Sequence, residues 1–179
     1  DEELFRPYFK MENVLDGAFA LANKLYGITF TERNDIQVYH SEVKVYEVKE
    51  ADGKHIGIFY TDYFPRESKG SGAWCSVFKV QSNIKNDFVF PIVINVGNFT
   101  KPIGDKPSLL SISDVSTLFH EFGHALRSLL QKVDYPYSSS ITRDFVELPS
   151  QIMQNWAFEP EVLRLYAKHY QTGETIPQE

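Results

Sequence analysis

The chain contains a single cysteine, Cys75, among 179 residues. One thiol excludes an intrachain disulfide, so the fold does not rely on an oxidising compartment, which favours the cytoplasm. Long apolar runs are also missing. No stretch approaches the roughly 20 residues needed to span a bilayer, and the opening Asp1-Glu2-Glu3 is the opposite of a basic signal-peptide start. No membrane partner is therefore expected. Basic residues are too few for a nucleic-acid binder: 18 Lys and Arg against 24 Asp and Glu give a formal net charge of -6. Repeats, low-complexity tracts and heptads are absent. No Ser stands in a G-x-S-x-G elbow, and Gly70 and Gly72 lack the Lys-Ser/Thr that would make a phosphate loop. Asn98-Phe99-Thr100 fits a glycosylation acceptor, a match that has meaning only in a secreted chain.

The composition, 42% hydrophobic and 23% charged, is that of a globular domain with a core of its own. From Val14 to Tyr26, Leu15, Ala18, Phe19, Leu21, Ala22 and Leu25 recur at helical spacing and end at Gly27, a usual stop. Alternation takes over from Gln37 to Val48. Ala51-Asp52-Gly53-Lys54 then supplies turn chemistry before Ile56 to Tyr63, predicting a β-hairpin. Ala73 to Val80 and Phe90 to Val96 read as further strands, separated from the hairpin by a charged, glycine-rich loop. After an irregular stretch from Pro102 to Pro107 the pattern is helical. The expected fold class is α+β: a small mixed or antiparallel sheet beside a helical layer, with residues 1-100 forming the helix and sheet part and 101-179 the helical part.

The helix that carries chemistry begins with Ser113 as expected N-cap and Asp114 at the positive end of the helix dipole. Val115, Leu118, Phe119, Phe122, Leu126, Leu129 and Leu130 follow on one stripe. At about 100° per residue, His120 and His124 project from the other side, about 40° apart, with Glu121 beside them. This is H-E-x-x-H. Neutral imidazoles one turn apart suit zinc, and a neighbouring carboxylate suits a general base that deprotonates zinc-bound water. A solvated amphipathic face with Thr117, Arg127, Ser128 and Gln131 would produce the same pattern.

A catalytic zinc site needs a third protein ligand and an open position. Glu147, in Asp144-Phe145-Val146-Glu147-Leu148-Pro149-Ser150-Gln151, opens a second helical pattern running through Ile152 and Trp156 and is a candidate. Asp144 and Glu147 also have capping-box spacing, in which Glu147 serves only a backbone N–H. The residues alone leave both readings open.

Asp114 to Leu126 and Arg143 to Gln151 closely resemble the thimet oligopeptidase family of zinc metallopeptidases, to which oligopeptidase A and the peptidyl-dipeptidases belong. The resemblance continues through Phe59-Tyr60-Thr61-Asp62-Tyr63-Phe64-Pro65-Arg66, Lys69-Gly70-Ser71-Gly72-Ala73-Trp74 and Asn98-Phe99-Thr100-Lys101-Pro102. It implies His120, His124 and Glu147 as ligands of one Zn2+, Glu121 as general base, a zincin-type second half, and hydrolysis of short peptides in a deep channel. Three departures accompany it. Arg127 stands where the family usually has His. The loop Asp134 to Ile141 is shorter and lacks an expected Gly. The family's oxyanion-binding tyrosines and histidine follow well after the Glu ligand, so the expectation is a catalytic-core segment of a larger enzyme. The alternative is a catalytically incomplete fragment or a peptide-binding module with a vestigial zinc site. His40, His55 and His169 are expected to be surface or satisfied histidines, and Cys75 a buried inert thiol.

Overall fold

The apolar stripe of the first helix produces α1 (Met11–Tyr26) in the computed structural model, which describes residues 2–177. Asp1 of the acidic start and the side chains of Tyr137 and Ser139 in the shortened loop lie outside the described residues. The helix begins three residues earlier than the spacing predicts, because Met11 joins Val14, Leu15, Ala18, Leu21 and Ala22 on the buried face. It stops at Gly27, whose φ of 72° makes the left-handed turn.

β1 (Thr29–Glu32) follows, and the expected hairpin forms as β2 (Lys44–Lys49) and β3 (His55–Asp62). Its turn is held by Gly53 N donating to Glu50 O and Lys54 N donating to the Asp52 carboxylate, both at 2.9 Å. β4 (Trp74–Lys79) and β7 (Ile92–Val96) fall within the two further strands expected at Ala73 to Val80 and Phe90 to Val96. Between them β5 (Ser82–Ile84) and β6 (Asp87–Val89) make a small hairpin. The main sheet has the order β1-β2-β3-β7-β4. It is mixed, because β3 and β7 run parallel while its other pairs are antiparallel. β4 is an edge strand.

Among the described residues three further α-helices follow: α2 (Ile112–Leu129), α3 (Leu148–Trp156) and α4 (Pro160–Tyr166). An aromatic cluster joins α1, α2 and one face of the sheet. Phe19 of α1 stacks on Phe30 of β1 with centroids 4.2 Å apart, and Phe122 of α2 lies 5.8 Å from Phe59 of β3. Such contacts add to the large apolar area that each ring buries. At the far end of the core, Tyr166 of α4 packs on Phe119 and Phe9 and donates to Ala157 O at 2.7 Å. A Cβ on Gly17 would come within 2.5 Å of Tyr166, so only glycine lets α1 approach this ring. Tyr170 N then donates to Pro7 O at 2.9 Å.

The end of β3 is fixed by a buried ion cluster. Asp62, 2% exposed, accepts from both Arg66 guanidinium nitrogens at 2.8 and 2.9 Å, from Lys69 Nζ at 2.9 Å and from the Tyr39 hydroxyl at 2.6 Å. Burial alone would raise its pKa, but the hydrogen bonds from Arg66, Tyr39 and Lys69 outweigh this and bring it down to about 2. Among the described residues no helix is long and apolar enough to cross a membrane.

Candidate metal centre

The helix bearing H-E-x-x-H is capped about two and a half turns ahead of its chemistry. Ser111, not Ser113, is the N-cap: its Oγ accepts from Asp114 N at 3.0 Å, and Asp114 Oδ2 accepts from Ser111 N at 2.9 Å. The reciprocal pair is possible because Asp114 stands three residues after Ser111; Ser113 lies within the first turn instead. Val115, Leu118, Phe119, Phe122, Ala125, Leu126 and Leu129 are all buried, which locks the helix's rotation against the sheet. His120 and His124 face away from that core, their side chains 26% and 19% exposed.

Glu147 is brought to both rings. Its Oε2 lies 3.1 Å from His120 Nε2 and 3.3 Å from His124 Nε2. Glu147 occupies the N-cap position of α3, whose first turn contains Pro149, and makes no side-chain cap bond. The capping box with Asp144 therefore does not form, because the helix starts at Leu148, three residues too late for it. Ser150 Oγ reaches Glu147 Oε2 at 2.9 Å. That hydrogen bond, ahead of the nearby imidazoles, holds the Glu147 carboxyl below the usual range.

Close contact between α2 and α3 depends on Gly123. A Cβ there would lie 2.6 Å from both Pro149 O and Ser150 Cα. Any side chain would push away the turn that presents Glu147.

Sequence reasoning missed the second layer of contacts. Gln154 Oε1 lies 3.0 Å from His120 Nδ1, and Gln154 Nε2 donates to Ser116 Oγ at 2.7 Å. The available signal was spacing: Gln154 is two turns after Glu147 on α3, and Ser116 one turn before His120 on α2. Asn95 of β7 was missed too. It is fully buried and its Nδ2 donates to the Glu121 carbonyl at 2.8 Å, tying the sheet to the helix.

Glu121 itself is half-buried beside the two rings. Burial raises its pKa above the ordinary carboxylate value, with His120 opposing and Glu147 adding to the rise. Burial also lowers the His124 pKa, against the pull of Glu147, which favours the neutral imidazole.

These donors fit zinc on their chemistry. With Gln154 oxygen facing His120 Nδ1, that nitrogen carries the proton and Nε2 presents its lone pair toward Glu147. Lone pairs on an imidazole and a carboxylate repel unless a cation lies among them. Tetrahedral zinc with bonds near 2.0–2.1 Å would separate its ligand atoms by about 3.3 Å, close to the two spacings observed.

The other histidines lie elsewhere. His40 Nδ1 accepts from Glu42 N at 3.2 Å, His55 pairs with Glu47 at 3.0 Å, and His169 packs edge-on against Tyr8. Cys75 sits opposite Asn95 in the sheet, its pKa pushed up to about 12 by burial and then by Glu121. It is a poor nucleophile at neutral pH. Arg127, one turn beyond His124, lines an apolar groove with Gly123, Phe145, Leu148 and Ile152.

Comparison with known proteins defines the class first: the relatives are peptidases, and the class is metallopeptidase. The chain belongs to peptidase family M3, whose model matches residues 1–179. It is 46% identical over 182 residues to dipeptidyl carboxypeptidase of Escherichia coli, covering 100% of this chain and 26% of that protein. It is 42% identical over 188 residues to organellar oligopeptidase A of Arabidopsis thaliana, covering 100% of the chain and 24% of the relative. Oligopeptidase A of Salmonella typhimurium is 39% identical over 187 residues, with 100% and 27% covered. The chain thus spans about a quarter of the length of these curated relatives.

Proposed function

We propose that the chain is the catalytic core of a zinc-dependent peptidase acting on short oligopeptides, with His120, His124 and Glu147 holding the metal and Glu121 acting as general base. The observation that carries this reading is the convergence of His120 Nε2 and His124 Nε2 on Glu147 Oε2, at 3.1 and 3.3 Å. The sheet and helix layers are then those of a zincin. When bound, zinc supplies Lewis acidity that polarises a peptide carbonyl and makes water a usable nucleophile near neutral pH.

Glu121 takes a proton from the attacking water as the new C–O bond forms, and delivers it to the departing amine as the C–N bond breaks. Its half-buried position and raised pKa suit both acceptance and release. Asn95, by holding the Glu121 carbonyl, keeps this part of the helix in register with the sheet.

The edge strand β4 supports a peptide substrate. Among the described residues it pairs with β7 alone, and its other edge offers backbone groups to an extended chain. Contacts between α2 and β4 bring that edge beside the H-E-x-x-H helix. The names of the relatives, an oligopeptidase and a dipeptidyl carboxypeptidase, favour short peptides as the substrate class. The single thiol fits work in the cytoplasm.

The test is zinc stoichiometry by elemental analysis together with cleavage of a quenched fluorescent peptide. One zinc per chain, lost in His120→Ala, with hydrolysis lost in Glu121→Gln despite retained zinc, is the expected result. No zinc at neutral pH, even after its addition, would overturn the metal assignment. Zinc without any hydrolysis would point to a peptide-binding role.

A further inference from the structure

We infer that Gln154 and Ser116 form an uncharged positioning relay that sets the His120 tautomer and thereby tunes the affinity of the centre for its metal. The inference rests on the reading of His120 as a metal ligand.

α3 meets His120 at two points. Glu147, at its N-terminus, faces Nε2, and Gln154, seven residues on and so on nearly the same helix face, faces Nδ1. The ring is held at both nitrogens by one helix. Ser116 comes from α2 itself, four residues before His120, so the Gln154 amide spans two side chains stacked along α2.

An amide presents an acceptor at one end and a donor at the other. In the observed orientation Nε2 of Gln154 donates to Ser116 Oγ at 2.7 Å, which turns Oε1 toward His120 Nδ1 at 3.0 Å. An oxygen at Nδ1 requires the proton there, so His120 Nε2 is left with its lone pair exposed toward the other donors. Reversal of the amide would place an N–H against Nδ1. The imidazole proton would then move to Nε2, where His120 would hydrogen-bond Glu147 and a cation would have to displace that proton to bind.

The relay therefore has two polarities, one ready for metal and one closed to it. A carboxylate at position 154 accepts from either oxygen and allows only the ready form. Glutamine holds the ready form with its Nε2 end tethered to Ser116 Oγ, which accepts at 2.7 Å. Contacts of this kind around a metal-bound histidine typically change affinity by about 10- to 100-fold.

The experiment compares wild type with Gln154→Glu, Gln154→Leu and Ser116→Ala in the full chain. Zinc affinity is measured by chelator competition, and the His120 tautomer in metal-free protein by imidazole 15N shifts. The expected result is tighter zinc by about tenfold in Gln154→Glu and weaker zinc by about 10- to 100-fold in Gln154→Leu, with a smaller loss in Ser116→Ala. The Nδ1–H fraction should be highest in Gln154→Glu, intermediate in wild type and lowest in Gln154→Leu and Ser116→Ala, where Nε2–H toward Glu147 gains. Should Gln154→Leu fail to fold, the glutamate and alanine variants retain the test. Zinc binding in wild type with affinities and tautomers unchanged across the variants would overturn the relay and leave the metal assignment standing. A wild type that binds no zinc, yet whose tautomer follows the substitutions as expected, would support the tautomer lock while rejecting the metal assignment.

Discussion

Asp62 is buried and Glu121 half-buried, and the protein treats the two carboxylates in opposite ways. Asp62, at the end of β3, is surrounded by Arg66, Lys69 and Tyr39, with donors at 2.6 to 2.9 Å and a pKa brought down to about 2. Among the described residues no side-chain donor reaches the Glu121 carboxylate, and burial pushes its pKa up. The first group is committed to being an anion and pins the following loop through Arg66 and Lys69. The second retains proton affinity. Saturation with donors makes a structural acid, whereas withholding them leaves one whose proton can move.

Glu121→Gln should give the largest effect, lowering peptide hydrolysis by about 10²- to 10⁴-fold while leaving zinc content and melting temperature near wild type. Undiminished turnover would erase the functional half of the contrast. Next is Gly123→Ala. The added Cβ has to displace the α3 turn bearing Glu147, so we expect a loss of about 1–3 kcal/mol in urea denaturation accompanied by weaker zinc binding. Stability lost without any change in metal affinity would separate helix packing from the centre.

The structural half is tested by pH. A folded pKa below the unfolded value of about 3.9 means that the stabilisation from Asp62 is fully present above pH 4 and fades as pH falls toward about 2. The shift corresponds to about 2 kcal/mol. Asp62→Asn should lose a comparable amount at pH 7 and show a flatter decline between pH 4 and 2. An unchanged urea midpoint would mean that the ion cluster is dispensable. The smallest expected effect is at the α2 cap: Ser111→Ala should cost about 1 kcal/mol and Ser113→Ala almost nothing. Equal losses would place the helix start elsewhere.

What could be read from the sequence was local and periodic. The stripe from Val115 to Leu129 predicts α2 and puts the two histidines together on its opposite side, and Gly27 marks the end of α1. The β2–β3 hairpin was legible because alternation flanks a strong turn. β1 escaped because it is four residues long and mostly exposed, with no buried face to give alternation. The β5–β6 hairpin escaped for a related reason: its strands are three residues each, and its turn uses Lys85 and Asn86 at φ 53° and 66° without a glycine. Parallel pairing of β3 with β7 joins segments about thirty residues apart, for which no local pattern speaks. At the site, H-E-x-x-H was visible on one helix, but Gln154 and Asn95 act across helices or from sheet to helix. Their partners are set by packing, beyond the reach of spacing within a single element. Ser111 was overlooked because Ser113 also has a hydroxyl ahead of the apolar run, and only the reciprocal bond with Asp114 distinguishes them.

The backbone hydrogen bond from Tyr170 to Pro7, next to the seating of Tyr166 on Gly17, has a mechanical meaning. It joins the two flanks of the fold, so tension applied through residues preceding Pro7 and following Tyr170 is carried first across this clasp. The route for such a load bypasses α2 and the first turn of α3. The candidate metal centre lies off that route, and the clasp should yield under force before the spacing of His120, His124 and Glu147 changes.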